Sequence, residues 1–330
     1  MRIVIPTAGF GTRLRPHTWS KPKPLVAVAG KPVLGHVLDM FGTLTDIDEV
    51  VFIIGYLGEQ IEAYVTDVYP QLNSRFVAQQ EMLGQSHAIW LAREGLEGPM
   101  LMAFVDTLID VDLSGLSSES AQAVAWVKEV EDPRRFGVAD VNDDGRVERL
   151  VEKPKDTSNN LAVVGFYYFE EAKRLISAIE KQMESGDQLQ GEWFLADAIN
   201  LMLRDGLQMR VEMVEEWHDC GKPGPLLETN RYLLDNGRDN SEQAGRAGSI
   251  VVPPVFIHPS AEVINAVVGP HVSVGAECKI ERATIRDSIL EDGASVEQSN
   301  LTGSVIGRRA QISGVDGVLN IGDDSVVGVS

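Results

Sequence analysis

Gly9, Gly11, Arg13, Arg15, Lys21 and Lys23 crowd into fifteen residues, just after the apolar run Ile3-Val4-Ile5. Glycines leaving a strand let backbone N–H groups close around phosphate oxygens, because no Cβ blocks the approach. Four cations behind such a loop suit a polyanion of the nucleoside triphosphate class. The chain carries a formal net charge of −20, so this basic cluster departs from the general surface. Two aspartates extend the pattern. Asp106 follows Met100-Leu101-Met102-Ala103-Phe104, which reads as a central strand, and Asp219 lies in Trp217-His218-Asp219-Cys220-Gly221 after strand-like 209–214. Each alone reads equally well as a turn or cap residue. With the basic glycine loop, two carboxylates at strand ends suit Mg²⁺, which takes a few carboxylates plus phosphate oxygens.

The elements that would position these residues alternate. Strands are expected at 2–6, 50–54, 75–79, 100–104 and 122–128. Leu34, Val37, Leu38 and Phe41 have helical spacing, as do Ile61, Val65 and Val68. The alternation predicts an α/β fold with a Rossmann-like, mostly parallel sheet over residues 1–236, its functional residues at the carboxyl ends of strands. Segment 136–169 reads as an antiparallel insertion, and helices are expected near 170–185, 192–205 and 224–236. Residues 237–249 lack large apolar side chains and read as a linker.

From 250 to 330 the texture changes. Aliphatic residues recur at Ile257, Val263, Val268, Val274, Ile280, Ile285, Leu290, Val296, Leu301, Ile306 and Ile312, in steps of five or six. A parallel β-helix of hexapeptide repeats gives that period, with each aliphatic pointing into a triangular core. About four coils are expected, with Gly269, Gly275, Gly293 and Gly307 at tight corners. A small antiparallel sandwich is the competing arrangement.

At 330 residues, 44% hydrophobic and 24% charged, the composition is that of a globular chain with room for two domains. Its acidity argues against nucleic-acid and anionic-membrane partners. The two cysteines, Cys220 and Cys278, fall in different predicted domains, and no apolar run is long enough to span a bilayer. A cytoplasmic location is expected.

The chain resembles the sugar-1-phosphate nucleotidyltransferases, in particular the glucose-1-phosphate thymidylyltransferases and their uridylyl relatives. The resemblance is carried by Gly9–Arg13, Pro16, Thr18 and Pro22–Leu25, then by Gly30-Lys31-Pro32, Gln79 with Leu83-Gly84, and Asp106. Phe136-Gly137-Val138, Glu152-Lys153-Pro154, Val163-Val164-Gly165 and Trp217–Gly221 follow in order. There are departures: Pro6-Thr7-Ala8-Gly9 is closer to the uridylyl style, Val105 stands where glycine is common, and Gln80 where an acid often stands.

The resemblance implies roles. Ala8, Gly9, Gly11 and Thr12 would hold the nucleotide, with Gln79 and Gly84 facing its base. Arg13 and Lys23 would be catalytic on the triphosphate. Gly137, Glu152 and Val163 would line the sugar pocket, and Lys153 would neutralise the sugar phosphate. Asp106 and Asp219 would hold Mg²⁺. Arg15 and Lys21 are read as supporting charge, and His17, His36 and His87 as having no catalytic part. Trp193 is either near the sugar or in the core. A phosphate nucleophile is already ionised near neutral pH, which accords with the lack of a His or Cys nucleophile constellation.

The implied reaction joins a nucleoside triphosphate, dTTP first and UTP next, to a sugar-1-phosphate, glucose-1-phosphate first, and releases pyrophosphate. Resemblance also implies a C-terminal left-handed β-helix. An assembly role for it is expected, giving a homo-oligomer. The alternatives are a non-catalytic nucleotide-sugar-binding regulator, a bifunctional nucleotidyltransferase and acyltransferase, and a mannose-1-phosphate guanylyltransferase.

Overall fold

The computed structural model describes residues 1–186, 188–244 and 248–328. It divides into two compact units, Met1–Gly9 with Val37–Trp217, and Phe10–His36 with His218–Ser330.

The first unit is built on a nine-stranded mixed sheet. Its strands are β1 (Arg2–Pro6), β2 (Glu49–Ile54), β3 (Ser74–Ala78), β4 (Met100–Ala103), β5 (Ala123–Glu129), β6 (Gly137–Val141), β7 (Val147–Glu152), β8 (Leu161–Phe169) and β9 (Met209–Met213). The main order is β7-β6-β8-β4-β1-β2-β3, with β5 joined to β8 and β9 to β5. Around β1 the pairing is parallel, with Val4 opposite both Val51 and Met102. Where 136–169 enters, β8 runs antiparallel to β4, β5 and β6. Strands buried on both faces read as continuous apolar runs, and Ile3, Val4 and Ile5 are fully buried, as are Met100 to Ala103.

Helices α1 (Val33–Met40), α2 (Gly58–Val68), α3 (Gln85–Leu91), α4 (Ala172–Ser185) and α5 (Leu195–Arg204) follow their apolar spacing. In α4 the buried Ala172, Leu175, Ile176 and Ile179 form one stripe, the Glu171 side chain caps the Lys173 N–H, and Gly186 ends the helix in the left-handed region. Residues of α3, α4 and α5 share one core with the sheet, including Ile89, Leu175, Ile179 and Ile199 against Val4, Val51 and Met102.

In the second unit α6 (Pro223–Leu233) precedes three five-stranded parallel sheets. Their strands stack rung on rung, as Val268 on Ile285 on Leu301, and Val274 on Leu290 on Ile306. This is the β-helix, and all eleven of the recurring aliphatics are buried in its core. Five rungs form rather than about four, because several turns use five residues instead of six. Gly293 takes a positive φ, and a Cβ on Gly307 would stand 2.4 Å from the backbone of Gly322 in the next coil. Many other corners are left-handed without glycine, among them Asn265, Asp287 and Arg309.

The segment expected as a linker is partly fastened down. The Asp239 carboxylate accepts the Val255 N–H at 2.9 Å, Asn240 bonds both ways to Ile257, and Ala244 enters the β-helix core. Residues 245–247 of that segment, and 329–330 of the β-helix segment, lie outside the described residues.

Candidate active site

In the first unit the residues expected to face the base gather where parallel strands end. Thr7, directly after β1, donates to the Ile53 carbonyl through both its N–H and its hydroxyl, each at 2.8 Å. The next residue, Ala8, is buried, and Gly55 lies so close that a Cβ there would be 2.5 Å from the Ala8 carbonyl oxygen. Gln79 follows β3 and is anchored by its N–H on the Ile54 carbonyl, 2.8 Å. Its Nε2 donates to the Gly84 carbonyl at 3.1 Å and faces His87 Nδ1 at 3.2 Å. Gly84 has φ 99, and a Cβ on it would meet the Trp193 oxygen at 2.5 Å. Only glycine fits here on both counts. Backbone bonds from Trp193 N–H to Leu83 and from Ser86 N–H to Trp193 lock that contact.

His87, for which no catalytic part is expected, packs within this cluster. It stacks on Trp90 and lies tilted against Trp193, and burial lowers its pKa. Its place in the first turn of α3, three residues past Gly84, was the available signal.

Gly137 and Glu152, expected at the sugar, stand on the β6–β7 hairpin, and Lys153 follows it. Gly137 is directly opposite Glu152, and a Cβ on Gly137 would lie 3.3 Å from Glu152 Oε2. The missing side chain leaves room beside that carboxylate, whose side chain is otherwise mostly buried. Burial raises the Glu152 pKa, opposed by Lys153 and assisted by Asp197 and Glu192. Lys153 Nζ lies 3.7 Å from Glu152 Oε1 and 4.8 Å from the centroid of the Phe194 ring, and its side chain is 48% exposed. The Lys153 backbone is left-handed at φ 47, a strained state for a residue with a Cβ. Trp193 and Phe194 therefore join the two clusters, one touching Gly84 and the other Lys153. The Trp193 indole N–H is buried with no acceptor among the described residues.

Val163 is buried on β8 opposite Val127, in the sheet core. Asp106 is half-buried in the turn after β4, at the carboxyl end of a central strand. Gly9 is exposed at the end of this unit.

The second unit holds the phosphate signature. Gly11 is left-handed at φ 62, and a Cβ there would come within 2.9 Å of Lys23 Cβ and 3.1 Å of Thr18 Cγ2. The Thr18 hydroxyl closes the turn by donating to the Gly11 carbonyl, 2.8 Å. Thr12 and Arg13 follow as an exposed single turn, and Lys23 is half-buried. Asp219 Oδ1 accepts the Gly221 N–H at 2.6 Å, which orients the carboxylate. A Cβ on Gly221 would be 3.4 Å from Arg13 Nη2, so the guanidinium rests beside that same turn.

Lys21 corrects its reading as supporting charge. It is 1% exposed and ion-paired with Glu291, with Asp323 Oδ1 at 3.3 Å. Burial pushes its ammonium pKa down to about 8, against the pull of Asp323. Arg15 remains exposed. His17 bonds Asn320, His36 faces the Val28 carbonyl, His258 bonds Ser260 and His271 bonds Asp235.

Comparison with known proteins identifies the family. Residues 3–236 match the nucleotidyl transferase family. The chain is 33% identical to the low-salt glycan biosynthesis nucleotidyltransferase Agl11 of Haloferax volcanii, over 99% of this chain and 98% of that one. It is 30% identical to a glucose-1-phosphate thymidylyltransferase of Streptomyces griseus over the full length of both. With the UTP–glucose-1-phosphate uridylyltransferase AglF of Haloferax volcanii it shares 31% identity, over 73% of this chain and 100% of that one. A solved UDP-glucose pyrophosphorylase, complexed with UDP-glucose, superposes with a TM-score of 0.63 at 20% identity, covering 71% of this chain and 98% of that structure. That last likeness speaks to the fold alone.

Proposed function

The chain belongs to the nucleotidyl transferase family, and on that premise we propose that it makes a nucleotide-sugar from a nucleoside triphosphate and a sugar-1-phosphate. A sugar-phosphate oxygen attacks the α-phosphorus in line. The new oxygen–phosphorus bond forms as the bond to the β-phosphate bridge breaks, and pyrophosphate leaves. The observation that carries the reading is the Glu152–Lys153 pair: a mostly buried carboxylate with room left beside it by Gly137, able to accept sugar hydroxyls, next to an exposed ammonium on strained backbone.

In this reading Lys153 neutralises the incoming phosphate. Arg13 and Lys23 neutralise the triphosphate and the leaving pyrophosphate, and catalysis is alignment plus charge stabilisation. Gln79 and Gly84 receive the base. Asp106 and Asp219 offer oxygen donors only, which suits Mg²⁺. Mg²⁺ takes a few carboxylates and fills the rest of its shell with substrate phosphates and water rather than with a protein cage. When bound, the ion would add positive charge at the triphosphate.

Among nucleotides dTTP is placed first and UTP next, with glucose-1-phosphate as acceptor, the pairing suggested by the names of the Streptomyces and Haloferax relatives. A homo-oligomer formed through the β-helix is part of the proposal. A monomer by light scattering across a wide concentration range would remove it.

The test is pyrophosphate release with Mg²⁺ across dTTP, UTP, GTP, ATP and CTP against glucose-, mannose-, galactose- and N-acetylglucosamine-1-phosphate. One preferred pair is expected. No release above an Asp106→Asn blank from any pair would defeat the reading.

A further inference from the structure

The β-helix has three faces of unequal character. On two of them the outward residues meet solvent, as Glu262, Lys279, Gln311 and Val326 do on one, and Arg286, Asn300 and Asp316 on the other. On the third the outward positions Ser273, Ile289 and Val305 are only 3%, 1% and 1% exposed. That face is covered by α6 and by residues 10–36, which precede it by most of the chain.

The cover is a series of specific contacts. His17 bonds Asn320 at 2.6 Å, the Ser20 hydroxyl donates to Asp323 at 2.7 Å, and Pro16 packs on Gly322. Gly30 lies against the Phe256 ring, and the Ala29 N–H donates to Asn230, which in turn accepts from Ser273. At the centre is Glu291, 3% exposed. One of its oxygens pairs with the Lys21 ammonium, and the other accepts the Ala27 N–H at 3.2 Å. A single carboxylate from the β-helix thus grips the chain on both sides of Lys23. Asp323 supports the grip, bonded to the Arg308 N–H and guanidinium as well as to Lys21 and Ser20.

We propose that the Lys21–Glu291 pair is a positioning device through which the β-helix fixes the backbone carrying Lys23 and Arg13, so that the β-helix is a working part of nucleotidyl transfer. The inference rests on the transferase reading above. Lys21 and Glu291 touch neither phosphorus nor leaving group. They act by denying the 21–27 stretch the freedom that would let Lys23 drift, and small displacements of charge-stabilising groups are costly in rate.

The experiment uses the full chain carrying Glu291→Gln, which can still accept from Ala27 but loses the charge, and Glu291→Asp, which keeps the charge with a shorter reach. Steady-state kinetics of pyrophosphate release are paired with amide hydrogen exchange. For Glu291→Gln, kcat/KM for the nucleotide should fall ~10–100-fold, with KM for the sugar phosphate within about twofold of the parent. Exchange should accelerate across residues 10–27 and stay unchanged at the core positions Ile280 and Ile285. Glu291→Asp should recover part of the loss.

Nucleotide kinetics like the parent's in folded Glu291→Gln would overturn the proposal. So would a loss shared equally by both substrates with faster exchange throughout the chain. Should Glu291→Gln fail to fold, Ser20→Ala and Asp323→Asn, which loosen the same grip from its edge, are expected to give the nucleotide-selective loss, and their silence overturns it. A parent chain that releases no pyrophosphate defeats the transferase reading alone, and exchange at 10–27 in Glu291→Gln still decides the grip.

Discussion

At the scale of single residues, the site is a contest between burial and charge. Asp106→Asn removes a carboxylate charge at nearly constant volume. Turnover should therefore drop by at least ~10³-fold while the thermal midpoint moves little, and near-parental activity at saturating Mg²⁺ would refute the metal role. Glu152 offers a pH test. Its folded pKa is raised by burial, so the charged form costs stability at neutral pH and that cost is relieved on acidification. The same raised value means that the acceptor for sugar hydroxyls is lost earlier in acid than from an ordinary glutamate. KM for the sugar phosphate should climb as pH falls through the mildly acidic range. In Glu152→Gln, KM should be raised ~10–100-fold at neutral pH, the worth of hydrogen bonds to a charged acceptor, and the climb should vanish. The family was legible in the sequence because the types and order of these charged residues carry its motifs. Lys21 was not, because its partner Glu291 is remote in sequence, and a buried lysine looks like any other until its neighbours are known.

Elements place these residues by backbone geometry. Gly11 must be left-handed and must also let Lys23 approach. Gly11→Ala should cost about 1–3 kcal/mol in stability and reduce kcat/KM for the nucleotide, and unfolding curves beside nucleotide kinetics will show both effects. In the β-helix, Leu301 is one rung of a continuous aliphatic stack. Leu301→Ala should cost about 2–5 kcal/mol by thermal unfolding, and an effect below 1 kcal/mol would mean that the rungs do not share a core. The five-or-six-residue step made this element readable, as period 2 and period 3.6 made the strands and helices of the sheet readable. The corners were less so: glycines flagged some, but Asn265, Asp287 and Arg309 turn left-handed with side chains present, held by their coil neighbours rather than by local preference.

Across the whole molecule, sequence order and packing order disagree. The phosphate signature is early in the chain but is part of the β-helix unit, a relation that no local pattern reports. Its ionic seam is also acid-labile. Burial alone would raise the Asp323 pKa, but Lys21, Ser20 and Arg308 outweigh it and hold the group down to about 2. A depressed carboxylate contributes stability that is full above its unfolded pKa and disappears as pH falls through the folded one. Between about pH 4 and pH 2 the melting temperature should therefore fall more steeply in the parent than in Asp323→Asn. Parallel curves would assign the acid loss to other carboxylates.

The bond from Ser20 to Asp323 spans 303 residues, and a growing chain meets that span as a delay. At about 5–20 residues per second, a ribosome needs roughly 15–60 s to pass from one partner to the other. For most of that interval the glycine-and-lysine segment is outside the exit tunnel with its seat unmade. Residues 10–36 can thus be fully seated only after the final coil emerges, and a product cut short before residue 323 carries the Gly11–Lys23 segment yet lacks part of the bed that holds it.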